Sequence, residues 1–315
     1  MDLLRPAGEN EGQAGKLKKL FAEIEHGNQA SVLERLREDF EGDCNCSDEG
    51  GTTPLLRAAA LGQREIVQVL MEHKADLMAS DLDGDNALMM AIAQNHLEIV
   101  HCLLDARDSV DPDVPNKIGQ TPLMKAASKN NLECIEKLLE LKVNVNATAK
   151  SGKTALIEAV EKKHVQAAQV LLTAGANPAA ADCKGKTALF PAAFRCDEPL
   201  LRMLLLAKAD PKATAEDVGT VLMMALDSMS FKLDAFKLLI EHGCPLDHAN
   251  GLGETALMKA AVESNVEAVQ ALLEAHADVG KKNPEGQTAA DLANSSVKEL
   301  LQKSEAVIAS KGYKQ

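Results

Sequence analysis

Tryptophan is absent from this 315-residue chain, tyrosine occurs once, at Tyr313, and aromatic residues make up only 2% of it. A compact enzyme core of this size ordinarily holds more aromatic side chains. Their scarcity beside an apolar content of 46% points to thin layers of Ala and Leu in which helices approach closely. No apolar stretch reaches the roughly 18 residues that a membrane-spanning helix needs, so no membrane segment is expected. The start, Met1-Asp2-Leu3-Leu4-Arg5-Pro6, lacks a long apolar run, and no secretory leader is expected. The seven cysteines, Cys44, Cys46, Cys102, Cys134, Cys183, Cys196 and Cys244, are odd in number and include no CxxC pair. Cys44 and Cys46 are too close for an ordinary disulfide. The pattern fits reduced thiols in a cytoplasmic or nuclear protein.

Positive charge is in deficit: 34 Lys and Arg face 47 Asp and Glu, a formal net charge of −13. Phosphate backbones and anionic membranes attract basic surfaces, so neither nucleic acid nor membrane is an expected partner. There is no GxxxxGK[ST] phosphate loop, no HExxH and no GxSxG. The reading is a chain without catalytic, cofactor-binding or metal-binding residues.

What is present is a repeat. One phrase recurs at Gly51 (GTTPLLRAA), Gly84 (GDNALMMAI), Gly119 (GQTPLMKAA), Gly152 (GKTALIEAV), Gly185 (GKTALFPAA), Gly253 (GETALMKAA) and Gly286 (GQTAADLA). A degenerate copy, VGTVLMMAL, aligns with Val218 in the glycine's place, and successive starts are separated by 33, 35, 33, 33, 33, 35 and 33 residues. In all copies but the one at Gly84, Thr is placed to cap a short helix, and Pro is tolerated in the first turn. A second helix follows, with apolar residues at helical spacing such as Ile66, Val67, Val69 and Leu70. It ends near Gly or a substitute, and an extended link leads to Asp48, Asp81, Asn116 or Asp182 at the next turn. The longer intervals locate insertions in Ala106–Pro115 and in Asp227–Asp234, both candidate specificity loops.

This register resembles the ankyrin repeat, a β-turn finger followed by an antiparallel helix pair. The resemblance implies an all-α ankyrin-repeat solenoid of eight to nine helix-turn-helix units with β-turn fingers. The divisions are a disordered tail over 1–14, a divergent capping repeat over 15–47 and seven repeats over 48–282. A truncated capping repeat over 283–303 and a tail over 304–315 follow. The first capping repeat reads as helices Leu17–Glu25 and Ser31–Phe40, joined at Gly27-Asn28. Most family members carry His after the Pro-Leu of the phrase; this chain has Leu56, Met89, Met124, Ile157, Phe190, Met223 and Met258 there, read as core filling. Lys74, Lys142, Lys208 and His276 stand where Gly175 and Gly243 keep the family's helix-ending glycine. If those backbones stay left-handed, each costs on the order of 1 kcal/mol. The unit from Ala215 to Ala249, with a lost turn glycine and an insertion, is expected to be the least stable. His96 and His164, at the turn between helices, are read as satisfying loop carbonyls.

The resemblance also implies where a partner binds: the fingertips and the exposed end of each first helix, on a concave face. Those positions are Lys117, Ile118, Gln120, Ser128 and Lys129 in one unit, then Lys150, Ser151, Lys153, Glu161 and Lys162. Cys183, Lys184, Lys186, Phe194 and Arg195 follow in the third. Eight are basic and one acidic, against an acidic background. Asp83 and Asp85 flank them on one side, and Glu216, Asp217, Asp227, Glu254, Glu263 and Glu285 on the other. Phe194 is a candidate anchor. The expected partner is a protein with an acidic or phosphorylated segment, bound by a monomer or by a subunit of a hetero-complex acting as adaptor, scaffold or regulator. An inhibitory or chaperone-like subunit masking an active site, and an effector of an intracellular microbe, remain open. Asn146 occupies the link position that asparaginyl hydroxylase modifies in some family members, with Leu138 eight residues earlier.

Overall fold

The turns are fixed by their own first residue. Asp81 Oδ1 accepts the N–H groups of Asp83 and Asp85, both at 2.9 Å. Asn116 Oδ1 does the same for Ile118 and Gln120 at 3.1 and 2.9 Å, and Asp182 Oδ1 for Lys184 and Lys186 at 2.8 and 2.9 Å. This side-chain mimicry of a backbone turn explains why Asp or Asn opens most copies. The turn glycine has a second duty. Gly152 sits at φ +79°, and a Cβ there would lie 2.7 Å from Cys183 N and 2.8 Å from Asp182 Cα, because the next finger packs on it.

The computed structural model describes residues 12–106 and 109–310, with side chains through 303. Most of the tail read over 1–14, and residues 311–315 of the C-terminal one, lie outside the described residues. The chain divides into two units, Met1–Lys150 and Ser151–Gln315.

In the first unit the helices are α1 (Gln13–Glu25), α2 (Gln29–Phe40), α3 (Pro54–Leu61), α4 (Arg64–Glu72), α5 (Ala87–Ala93), α6 (Leu97–Asp105), α7 (Pro122–Ser128) and α8 (Leu132–Glu140). They pair in sequence, and the pairs stack in two layers: α1, α3, α5 and α7 in one, α2, α4, α6 and α8 in the other. In the second unit the helices are α9 (Ala155–Glu161), α10 (Val165–Thr173), α11 (Leu189–Phe194), α12 (Glu198–Leu206), α13 (Val221–Leu226), α14 (Leu233–Glu241), α15 (Ala256–Val262), α16 (Val266–Glu274), α17 (Ala289–Leu292) and α18 (Ser295–Ser310). They pair in sequence and stack in two layers of their own: α9, α11, α13, α15 and α17 in one, α10, α12, α14, α16 and α18 in the other. The short antiparallel strands β1 (Thr214–Ala215) and β2 (Gly219–Thr220) make one finger. This is the ankyrin-repeat architecture that the register implies.

The helices start as the phrase predicts, with one exception. Thr53, Thr121, Thr154, Thr220, Thr255 and Thr288 each accept a backbone N–H from the first turn. Thr187 does not. Its carbonyl lacks the usual partner four residues on, because Pro191 has no N–H; Phe190 N–H donates to that carbonyl instead, at 3.1 Å. The Thr187 hydroxyl is left buried and without a hydrogen-bond partner.

Helix ends follow a Schellman pattern. After α4, Lys74 N–H donates to Met71 O and Ala75 N–H to Leu70 O; after α10, Gly175 and Ala176 bond Leu172 and Leu171 in the same way. Lys74, Lys142, Lys208 and His276 all adopt left-handed backbone, with φ of 61°, 60°, 65° and 65°. The residue that follows each of them, Ala75, Val143, Ala209 and Ala277, is buried. The seven side chains that replace the family's His are buried at 2% exposure or less, within the helix layers. His96 Nε2 lies 3.2 Å from Ala60 O, the loop-carbonyl role expected for it.

The structure amends four local expectations. In the copy read with Val218 in the turn glycine's place, the left-handed residue is Gly219, at φ +88°. Glycine is displaced by one position, and Ala215 pairs with Gly219 across a turn of residues 216–218. The insertion read in Ala106–Pro115 lies at its start: the buried Val110 comes five residues after the end of α6, whereas Val143 comes three after the end of α8. The first capping helix begins at Gln13 rather than Leu17, since Gln13 and Ala14 are good helix formers. Residues 304–310, read as tail, continue α18 to Ser310; the sequence there has neither Gly nor Pro to stop a helix.

Candidate protein-binding surface

In the first unit, and in the second as far as Glu216, neighbouring fingers are joined tip to tip by the backbone. Leu82 N–H donates to Gly50 O, Lys117 N–H to Asp83 O and Lys150 N–H to Ile118 O in the first unit, at 2.9–3.0 Å. Cys183 N–H donates to Ser151 O at 2.9 Å and Glu216 N–H to Lys184 O at 3.3 Å in the second. The fingertip side chains are not needed for this ladder and project from a rigid frame.

The first unit carries Lys117, Ile118, Lys129 and Lys150 of the sequence-derived surface, all exposed, with Ile118 at 62%. Lys125, one helical turn before Lys129, forms a largely buried ion pair with Asp85 of the preceding finger. That pair ties Asp85 into the frame. Asn146 is exposed in the link after α8, its N–H donating to Asn144 Oδ1 at 3.0 Å.

The second unit carries Lys153, Lys162, Lys184, Lys186, Phe194 and Arg195. Lys162, Lys184 and Arg195 are exposed, and Phe194 is 40% exposed at the end of α11. Three of these lysines already hold internal acids. Lys153 Nζ lies 2.5 Å from Glu161 Oε2. Burial pulls the Lys153 ammonium down, but Glu161, Glu158 and Asp182 outweigh it and raise its pKa above the ordinary value. Lys186 Nζ lies 3.0 Å and Lys184 Nζ 3.9 Å from Asp217 Oδ2. Desolvation pushes the Asp217 carboxyl up, yet Lys186 and Lys184 overcome that and hold it below its usual range. Asp217, read as part of an acidic flank, is thus a direct partner of the basic positions. Sequence spacing gave no signal for this, because the pair is made by stacking of neighbouring fingers. A second ion-pair group sits further on, where Lys259 Nζ lies 2.6 Å from Asp227 and 3.6 Å from Glu263. The sequence reading also passed over exposed apolar tips: Leu82, Leu252, Val262, and Met229 in the inserted link between α13 and α14. Phe231 anchors that link, its ring 5.4 Å from that of Phe236.

The profile of the family described as ankyrin repeats (3 copies) matches residues 20–116, 108–182, 189–283 and 222–311. The chain belongs to the ankyrin-repeat family. Among solved structures, the ankyrin repeat domain of Bcl-3, titled a unique member of the IkappaB protein family, is similar to it. That likeness has a TM-score of 0.60 and 28% identity, over 70% of this chain and 96% of that one. The human ASB11 ankyrin repeat domain matches with a TM-score of 0.59 and 26% identity, over 70% and 98%. Curated relatives include the potassium channel AKT2/3 of Arabidopsis thaliana, 33% identical over 40% of this chain and 15% of its own length. The probable E3 ubiquitin-protein ligase XBOS31 of Oryza sativa is 38% identical over 32% and 23%. A putative ankyrin repeat protein of Rickettsia felis is 25% identical over 41% and 42%. The chain therefore spans less than half the length of these curated relatives. Ankyrin repeats are in general protein-interaction modules and not enzymes, and no described helix of this one is long and apolar enough to cross a membrane.

Proposed function

We propose that this ankyrin-repeat chain binds acidic or phosphorylated segments of partner proteins, as an adaptor, scaffold or regulatory subunit. The supporting observation is the exposure of cations on fingers and first-helix ends in a chain whose net charge is −13. Lys117, Lys129 and Lys150 stand in one unit, and Lys162, Lys184 and Arg195 in the other. Each set has an exposed apolar neighbour, Ile118 or Phe194. Charge on such a surface speeds encounter and fixes register more than it adds raw affinity. The apolar neighbours supply the anchor.

Charge reversal at Lys150, Lys153, Lys184 and Lys186, followed by affinity purification from native cells, tests the proposal. Loss of the partners recovered with the unaltered chain is the expected result. Recovery of the same partners in the same amounts overturns it. Seven cysteines, five of them buried, support a reducing compartment, the cytoplasm or nucleus, as the place of this interaction. The exposed link position of Asn146 supports it as a hydroxylation site, to be tested by intact mass of the native protein: a mass without added oxygen removes it.

A further inference from the structure

Lys184 and Lys186 come from one finger, two residues apart, and their side chains reach the same carboxylate. Their backbones are pinned, since both N–H groups donate to Asp182 Oδ1. Together the two ammonium groups make a fork, and a carboxylate already sits in it. Asp217 Oδ2 lies 3.0 Å from one Nζ and 3.9 Å from the other. Asp217 belongs to the turn between β1 and β2, the finger whose glycine is displaced to position 219. Its side chain is 44% exposed and that of Lys184 is 68% exposed, so solvent and an incoming group both reach the fork. Rotation of the Asp217 side chain alone opens it. The hairpin register and the bond from Glu216 N–H to Lys184 O involve main-chain atoms only and stay in place.

We propose that the Lys184–Lys186 fork receives a carboxylate or phosphate of the partner segment, and that Asp217 occupies it in the free chain as an intramolecular competitor that binding displaces. This rests on the binding reading above and adds the seat of the anionic group and its regulation. The fork selects for an anionic group able to meet both ammonium groups at once, which a phosphate does through separate oxygens. Displacing an exposed ion pair is a small obstacle, so Asp217 tunes affinity rather than closing the site.

The test uses the full chain and dye-labelled peptides of Gly and Glu, of Gly and phosphoserine, and of Gly and Gln as control, in fluorescence anisotropy. Asp217→Asn is expected to tighten binding of the acidic peptides about two- to fivefold, the range that exposed ion pairs contribute. Lys184→Gln with Lys186→Gln is expected to weaken it about tenfold. In that double variant, adding Asp217→Asn is expected to change nothing. The Glu and phosphoserine arms tell a carboxylate ligand from a phosphate. Carboxyl NMR gives a readout free of mutation: the Asp217 pKa, low in the free chain, rises toward the ordinary value on saturation with peptide.

If the double variant weakens binding but Asp217→Asn does not tighten it and the Asp217 titration stays put, displacement is overturned while the binding reading stands. If the double variant binds as well as the unaltered chain, the fork itself is overturned. If no acidic peptide binds better than the Gly–Gln control, both readings fall. Thermal melting of each variant separates a lost site from a lost fold, and Asp217→Ser serves if Asp217→Asn melts early.

Discussion

Replacing Lys74, Lys142, Lys208 and His276 by glycine is expected to stabilise the chain by about 0.5–1 kcal/mol at each site. All four are exposed and left-handed, in register with Gly175 and Gly243. A non-glycine residue in that region costs roughly 1–2 kcal/mol. Two effects oppose the gain. Glycine loses more freedom on folding, about 0.4–1 kcal/mol. A cation near a helix C-terminus also contributes about 0.3 kcal/mol when exposed. The strain is the larger quantity, so glycine wins by a margin smaller than the strain itself. The sites lie in separate repeats and share no partner, so the four gains add, to about 2–4 kcal/mol.

Urea unfolding reads this as a higher midpoint at unchanged slope. The reverse substitutions complete the comparison. At Gly175 and Gly243 an added Cβ would meet nothing within 4 Å, so Gly175→Lys and Gly243→Lys meet no steric obstacle and are expected to lose the same net amount, about 0.5–1 kcal/mol each. A quadruple glycine variant no more stable than the unaltered chain would refute the reasoning. It would mean that the lysines and His276 gain from the helix ends what their backbones lose.

The other predictions concern the cap, the fingers, one carboxylate and the thiols. Thr187→Val is expected to be neutral or stabilising in thermal melts, since its hydroxyl has no partner. Thr154→Val and Thr255→Val, which remove true caps, are expected to cost about 1 kcal/mol. Gly152→Ala is expected to cost more than Gly286→Ala at nearly the same φ, because a Cβ at 152 meets backbone within 2.8 Å and one at 286 meets nothing; equal losses in urea unfolding would remove the close-packing explanation. Burial, opposed by Lys153 and reinforced by Glu161, raises the Glu158 carboxyl pKa, so its charge disfavours the folded state at neutral pH. Glu158→Gln should therefore stabilise there, with the difference fading as pH falls through the raised value and gone below the unfolded one, about 4.3. Burial pushes the Cys46, Cys134 and Cys244 thiols up to about 12, whereas Cys183 is exposed. Maleimide should label Cys183 first in the native chain, and peptide mapping checks the order.

The repeat was readable because the same short-range chemistry recurs at a fixed interval. The Thr caps, the buried residues in place of His and the left-handed Lys positions all follow from neighbours a few residues apart. The exceptions arose where one atom was missing. Pro191 lacks the N–H that would have left Thr187 free to cap, and glycine displaced to 219 moved a turn by one residue. The basic surface was legible only as a list of residues. Apart from the local Lys153–Glu161 pair, which lysines already hold an acid depends on contacts about thirty to forty residues apart, made when fingers stack: Lys186 with Asp217, Lys125 with Asp85. A single sequence carries the charges but not which of them meet.

The fingertip ladder has a consequence for how such a chain changes over generations. Its bonds use amide hydrogens and carbonyl oxygens, which nearly every residue type supplies alike. The tips that face outward, such as Leu82, Ile118 and Lys184, are exempt from holding the frame. Drift at those sites rewrites what the molecule recognises while leaving its scaffold intact, so a new correspondent can be acquired without a detour through an unfolded ancestor.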